Sequence, residues 1–422
     1  MIRRETPHPI FSYLIYFGCL VSFCTVTFNV DIGRNIFFVA SYLAFIAFIL
    51  NLKYYTRKVE LLYAPISCIA VGLACILWIE AYKQPGDYIT IYRAYMVTGK
   101  LLIATGFVLL ISLNERIDFK KLLKTVVIAL GLAANSYAIY QSIVNNQLRV
   151  ELNFDRATIA AYVITAIDLV MLYSLLHINK KHRIILFTLG FAMCFITIIH
   201  TQTRAAIMMF PIISVIMFLC DKNINRQQKT ISCVSILILI LFSAFFLKGI
   251  IQQRVEAFKT DMNDMNELSQ TQRDNSIGSR LSMYKVGIAA GNQHVLGQSA
   301  EQRSAEIATI VQQQPLLAGA LPYTTVHMHN ELIETYSLRG IWGCVLLIVM
   351  YVSLLLISLK SQKNTLLFAV TLSLIMYGLS DVLFFSSEAT VIYGLAVIFS
   401  VLIGNNTFNH ALISENERNA NH

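Results

Sequence analysis

The sequence predicts an all-α polytopic membrane protein of about twelve transmembrane helices, with a large helical extracytoplasmic loop between the ninth and tenth. Three observations predict it. Apolar runs of roughly 20 residues, long enough to cross a hydrocarbon core of about 30 Å, recur from end to end. The 422 residues are 56% hydrophobic and 14% charged, where an ordinary soluble chain carries about 25% charge. The basic residues behind the +9 net charge fall mainly in alternate short loops, as membrane orientation requires. They form no continuous stripe of the kind that binds nucleic acid.

The runs follow in order. The first, residues 10–28, comes after Arg3 and Arg4 and has no small-x-small cleavage site, so it reads as a retained span rather than a removed signal peptide. Eight more lie at 36–52, 61–82, 94–113, 122–144, 157–176, 184–199, 205–220 and 231–251. Pro211 removes one backbone donor inside the eighth and marks a candidate kink. The last three lie at 341–359, 365–385 and 389–403. One set of loops carries Lys53, Arg57 and Lys58, then Arg116, Lys120, Lys121 and Lys124, then Lys180, Lys181 and Arg183, then Lys222, Arg226 and Lys229. The short loops of the other set hold only Arg34, Lys83, Arg93, Arg149, Arg156 and Arg204. The first set is therefore cytoplasmic, and both termini with it.

This divides the chain into spans one to nine (1–251), a periplasmic loop domain (252–340), spans ten to twelve (341–404) and a cytoplasmic tail (405–422). The loop is not low-complexity. Val255, Phe258, Met262, Met265 and Leu268 mark one amphipathic helix, and Leu281, Tyr284 and Ile288 a second. A third helix-compatible stretch, 303–314, stops at Pro315. We expect a folded lid. No internal repeat of the transporter kind is present. The eight cysteines lie in or at the ends of apolar runs and include no CxxC, so they read as small buried side chains.

Chemistry concentrates on the outer side. Residues 326–340, VHMHNELIETYSLRG, hold His327 and His329 just before a helix that Asn330 is placed to cap. Unpaired N–H groups at such a start welcome an anion. In HTQTR, 200–204, Thr201 or Thr203 is positioned to cap the eighth span, and Arg204 stands at its N-terminus. A cation there opposes the helix dipole, which makes sense beside a bound anion; binding of lipid headgroups is the other reading. SRLSMYKVG, 279–287, puts Ser279 at a helix start with Arg280 after it, as an anion ligand or a solvated helix end. Arg303 and Arg339 are further outer cations, Arg339 at the expected headgroup boundary. Asp381, in GLSD, lies within reach either as a site residue or as a salt-bridge partner of an outer arginine; Asp168, nearer mid-membrane, reads as structural. No P-loop or Rossmann fingerprint is present, and HxH without a nearby cysteine is a poor zinc signal.

In their order and placement, TQTRA at 201–205, SRLSMYKVG at 279–287, VHMHNELIE at 326–334 and GLSD at 378–381 resemble the bacterial lipopolysaccharide O-antigen ligases over most of the chain. The resemblance implies transfer of O-antigen polysaccharide from undecaprenyl diphosphate to a lipid A-core sugar, at the periplasmic face of the inner membrane. It implies that Arg204, Arg280 and His329 are the functional arginines and histidine, with no cofactor, nucleotide or metal. On this reading His329 is the base, Arg204, Arg280 and Arg303 bind the donor diphosphate, and Asn330, His327 and Asp381 support them. O-antigen polymerases share the broad architecture, and a lipid-glycan flippase is the alternative from another class.

Overall fold

The computed structural model describes residues 6–179, 181–246, 276–361 and 363–404, with three single positions at 252, 256 and 259. All regular structure among them is helical. The fourteen principal helices are α1 Pro9–Val26, α2 Val30–Leu50, α3 Tyr63–Tyr82, α4 Ile89–Leu113, α5 Lys120–Ile143, α6 Ala157–Ile178, α7 Arg183–His200, α8 Arg204–Cys220, α9 Arg226–Phe246, α10 Ser276–Gln293, α11 Ala300–Gln313, α12 Glu331–Leu356, α13 Thr365–Gly378 and α14 Ser387–Gly404. Nine helices among the described residues are long and apolar enough to cross a membrane: α1 to α7, α12 and α14. The apolar α8 and α13 are shorter. The expected helix over Val255–Leu268 and the tail at 405–422 lie outside the described residues.

At the centre stands α6, buried on nearly every face, with α14 packed beside it and α4 packed on α14. On α6, Ala160, Ala161 and Ala166 admit close neighbours, while Tyr162 stacks on Tyr377 of α13 with ring centroids 4.4 Å apart. Asp168 is buried and accepts from Asn135 Nδ2 at 2.7 Å, a structural link between helices. Pro211 sits inside α8, which continues through it.

The loop helices form a small unit of their own. Met283 and Val286 of α10, Ile307 of α11, Leu317 of the 3₁₀ segment Pro315–Tyr323 and Met328 share one apolar core. Ser299 caps α11 by accepting from Gln302 N–H. Ser279 lies inside α10, which begins three residues earlier, so it is no cap. The unit docks on the bundle through Trp78 Nε1–H, which donates to the Gln298 carbonyl at 2.8 Å, and Tyr88, whose hydroxyl meets Ser304 at 2.6 Å.

The two boundaries that differ most from the apolar runs do so for a backbone reason. Helix α12 begins at Glu331, and its regular turn is broken at Gly340, at φ 64° and ψ −159°. There the 295–298 backbone inserts, taking Ile341 N–H on Val295 O and giving Gln298 N–H to Leu338 O, both at 2.9 Å. Helix α13 stops at Gly378 rather than running to 385. Its terminal carbonyl at Leu379 is satisfied by Asn330 Nδ2 at 2.9 Å, which frees residues 379–386 to turn back into the bundle.

Candidate active site

The site is assembled where α12 begins. Asn330 Oδ1 accepts from the N–H groups of Leu332 and Ile333 at 3.1 Å, the cap its residue type calls for. Inside the first turn, buried Glu334 reaches back. Its Oε2 accepts from Met328 N–H and from Arg303 Nη1, each at 2.8 Å, while Oε1 takes the Tyr95 hydroxyl at 3.1 Å. The His-Met-His turn is thus fixed from below. His329 has φ 48°, unusual for a residue with a Cβ. The Tyr284 hydroxyl donates to its carbonyl at 3.1 Å and holds that conformation.

Asp381, in the 379–386 return, is buried under the two imidazoles. His329 Nδ1–H donates to its Oδ1 at 3.1 Å, and Val382 N–H donates to the same oxygen at 2.9 Å. Burial alone would raise this carboxyl. The hydrogen bond from His329, the two imidazoles and the Arg156 guanidinium together outweigh burial and hold it below the usual carboxylate range. With Nδ1 committed to Asp381, His329 presents Nε2, and its side chain keeps 18% of its surface exposed. That is the arrangement of an oriented general base.

His327 differs in every respect. It is fully buried, with His329 N–H 3.2 Å from its Nδ1 and Arg156 Nη1 2.9 Å from its Nε2, of which a neutral ring accepts at one. Burial, with the neighbouring cations, brings its pKa down to about 4. It is a neutral spacer between Asp381, Arg156 and the Phe385 ring, whose centroid lies 5.1 Å away. His327, His329 and Asp381 offer three ligand atoms within 4.8 Å of one another, a set that neither the HxH spacing nor any cysteine announced. The Arg156 guanidinium already donates into that group, and a second cation beside it is opposed by charge; we assign no metal there.

The arginines divide. Arg280, half-buried on α10, lies near enough for its charge to act on the Tyr284 and Tyr162 hydroxyls, beside the histidine turn. Arg204 opens α8, which packs along α13, the helix leading to Asp381; its cap position is held by Thr203, whose side chain makes no cap bond. Arg303 is fully buried in its pair with Glu334, so its guanidinium serves the fold of the turn rather than an open surface. Arg339 is also buried, over the Tyr95 ring at 4.6 Å and bonded to Thr335, and does not sit among headgroups. Arg156 was passed over in the sequence, although it stands immediately before α6 with the same cation-at-N-terminus signature as Arg204.

Residues 189–348 match the protein family described as O-antigen ligase. Over that stretch the chain is similar to O-antigen ligases. The matched stretch contains Arg204, Arg280, His327, His329 and Asn330; Arg156 and Asp381 reach the site from outside it. An O-antigen ligase from Escherichia coli (strain K12) is 28% identical over 407 residues, covering 95% of each chain. The apolar helices fit a membrane protein.

Proposed function

We propose that the chain transfers O-antigen polysaccharide from undecaprenyl diphosphate to a lipid A-core sugar at the periplasmic face of the inner membrane. In this reading α8, α9 and α13 also span, giving twelve spans, and both termini are cytoplasmic. The carrying observation is His329, with Nδ1 tied to buried Asp381 and Nε2 left for a substrate. His329 Nε2 takes the proton from the acceptor hydroxyl as that oxygen attacks the anomeric carbon. Asp381 stabilises the imidazolium that results. The bond to the diphosphate breaks, and Arg204 and Arg280 hold the departing charge. A single displacement inverts the anomeric centre. Burial favours it over a covalent intermediate: Asp381 and Glu331 are both almost fully enclosed and offer no open carboxylate to an anomeric carbon. Energy comes from the diphosphate linkage, so no nucleotide enters.

Purified protein reconstituted with lipid-linked donor and lipid A-core acceptor should ligate, and should do so in excess EDTA. Activity lost to chelator and restored by one divalent ion would move the three-ligand group from base to metal site. Product formed only on a second lipid-linked glycan would identify a polymerase instead.

A further inference from the structure

A cavity of about 320 Å³ adjoins the histidine cluster, and Arg156 and Phe385 form their common wall. Arg34 of α2 and Arg93 of α4 join Arg156 around it. Arginines from three separate elements therefore line one space, close to the positive ends of the helices that carry them. Such clustering is unfavourable unless an anion offsets it. Two carboxylates also line the space, Asp155 and Glu388, and Asp31 pairs with Arg34 at 2.8 Å from a largely exposed position. Glu388 is bound by the Ser386 hydroxyl at 2.6 Å. Arginines beside carboxylates and serine hydroxyls suit a ligand that is anionic in one part and rich in hydroxyls in the rest, because carboxylates accept from hydroxyls while guanidiniums donate to an oxyanion. Three donors match a phosphomonoester, with three terminal oxygens and nearly two charges, better than a two-oxygen carboxylate.

The walls come from α2, α4, α6 and the start of α14, together with the segments before α6 and α14, and none from α8 or α10, which carry Arg204 and Arg280. We propose that this cavity binds a phosphorylated sugar of the acceptor glycolipid and positions its hydroxyl at His329, while the donor diphosphate occupies the other side. The proposal rests on the transfer reaction above and adds to it where the acceptor is read.

The test uses the full chain in nanodiscs, with acceptor glycolipid either intact or enzymatically dephosphorylated. With the wild type, KM should be lower for the phosphorylated acceptor, about tenfold. In Arg93→Ala and Arg34→Ala the two acceptors' KM values should converge, with donor KM unmoved. A raised donor KM would place the donor diphosphate in the cavity, and an undiminished preference for phosphate in both variants would leave it without an anion; either result overturns the assignment. A preference that tracks anionic phospholipid content of the disc, not the acceptor's phosphate, would make it a headgroup site and overturn it equally. Calorimetric titration of the two acceptor forms, without donor, gives the same comparison independently of turnover. If phosphate preference in binding is present and lost in the variants while no transfer occurs, the cavity stands and the transfer reaction falls.

Discussion

At the scale of single residues, the two histidines are two apart in sequence and opposite in role. His329 has a partly exposed side chain whose Nε2 is not bound to Asp381; His327 is enclosed. His329→Ala should therefore cost about 10²–10⁴ in turnover with donor binding nearly intact, while His327→Ala should be much milder in rate. Arg204→Ala and Arg280→Ala should weaken donor binding as well as rate, and lysine at either place should restore only part, since it lacks the planar fork. Rate assays paired with donor-binding titrations separate these outcomes; two histidine variants equally dead, both without donor binding, would sink the base assignment. Acid stability follows from the same cluster. Burial holds His327 at about 4, below its ordinary value of about 6.5, so the unfolded chain takes up the proton first. Its contribution is complete above pH ~6.5 and is lost as pH falls toward 4, up to about 3 kcal/mol. Asp381 is held below the carboxylate range, and its contribution is lost only on further acidification below pH ~3.9. Melting temperature in detergent should fall between pH 6.5 and 4, and His327→Gln should flatten that slope.

Elements set the limits within which those residues work, and Gly340 shows how. A Cβ built there would lie 2.2 Å from the Val295 carbonyl oxygen, at a backbone conformation only glycine adopts readily. Gly340→Ala should destabilise the protein by about 2 kcal/mol or more, read as a lowered melting temperature, and should loosen the start of α12 that carries the histidine turn. A variant with unchanged melting would mean the 295–298 insertion is not rigid. The helices themselves were legible, because apolar runs are local and long; the cap at Asn330 was legible for the same reason, a residue type next to a helix start. Pairings across the chain leave no local mark. Arg156 meets His327 from 171 positions away, and the Arg303–Glu334 pair joins a loop helix to α12. Arg303 and Arg339 therefore read as outer cations in the sequence, although the fold buries both. The break at Gly340 depends on a segment more than forty residues earlier in places, and an apolar run starting at Ile341 could only approximate where α12 begins.

For the whole molecule, the question is which membrane face the site occupies. Helices α4, α6 and α14 line the arginine cavity with their first residues, α12 begins at the histidine turn, and α13 ends just before Asp381. Site and cavity thus share one end of the bundle, with α11 and its exposed Gln313 at the same end. Lys121 lies in the first turn of α5 at the other end, and Gln228 lies near the start of α9. The basic loops argue that this other end is cytoplasmic. A lipid-linked polysaccharide and a lipid-anchored acceptor can meet at His329 only if both are presented on the side where it lies, so orientation is a condition of the chemistry. In a cysteine-free background, a single cysteine at Gln313 should react with an impermeant thiol reagent added outside spheroplasts, and cysteines at Lys121 or Gln228 should react only after lysis. The reverse pattern would put His329, Asp381 and the arginine cavity in the cytoplasm, and a periplasmic transfer reaction would fall with it.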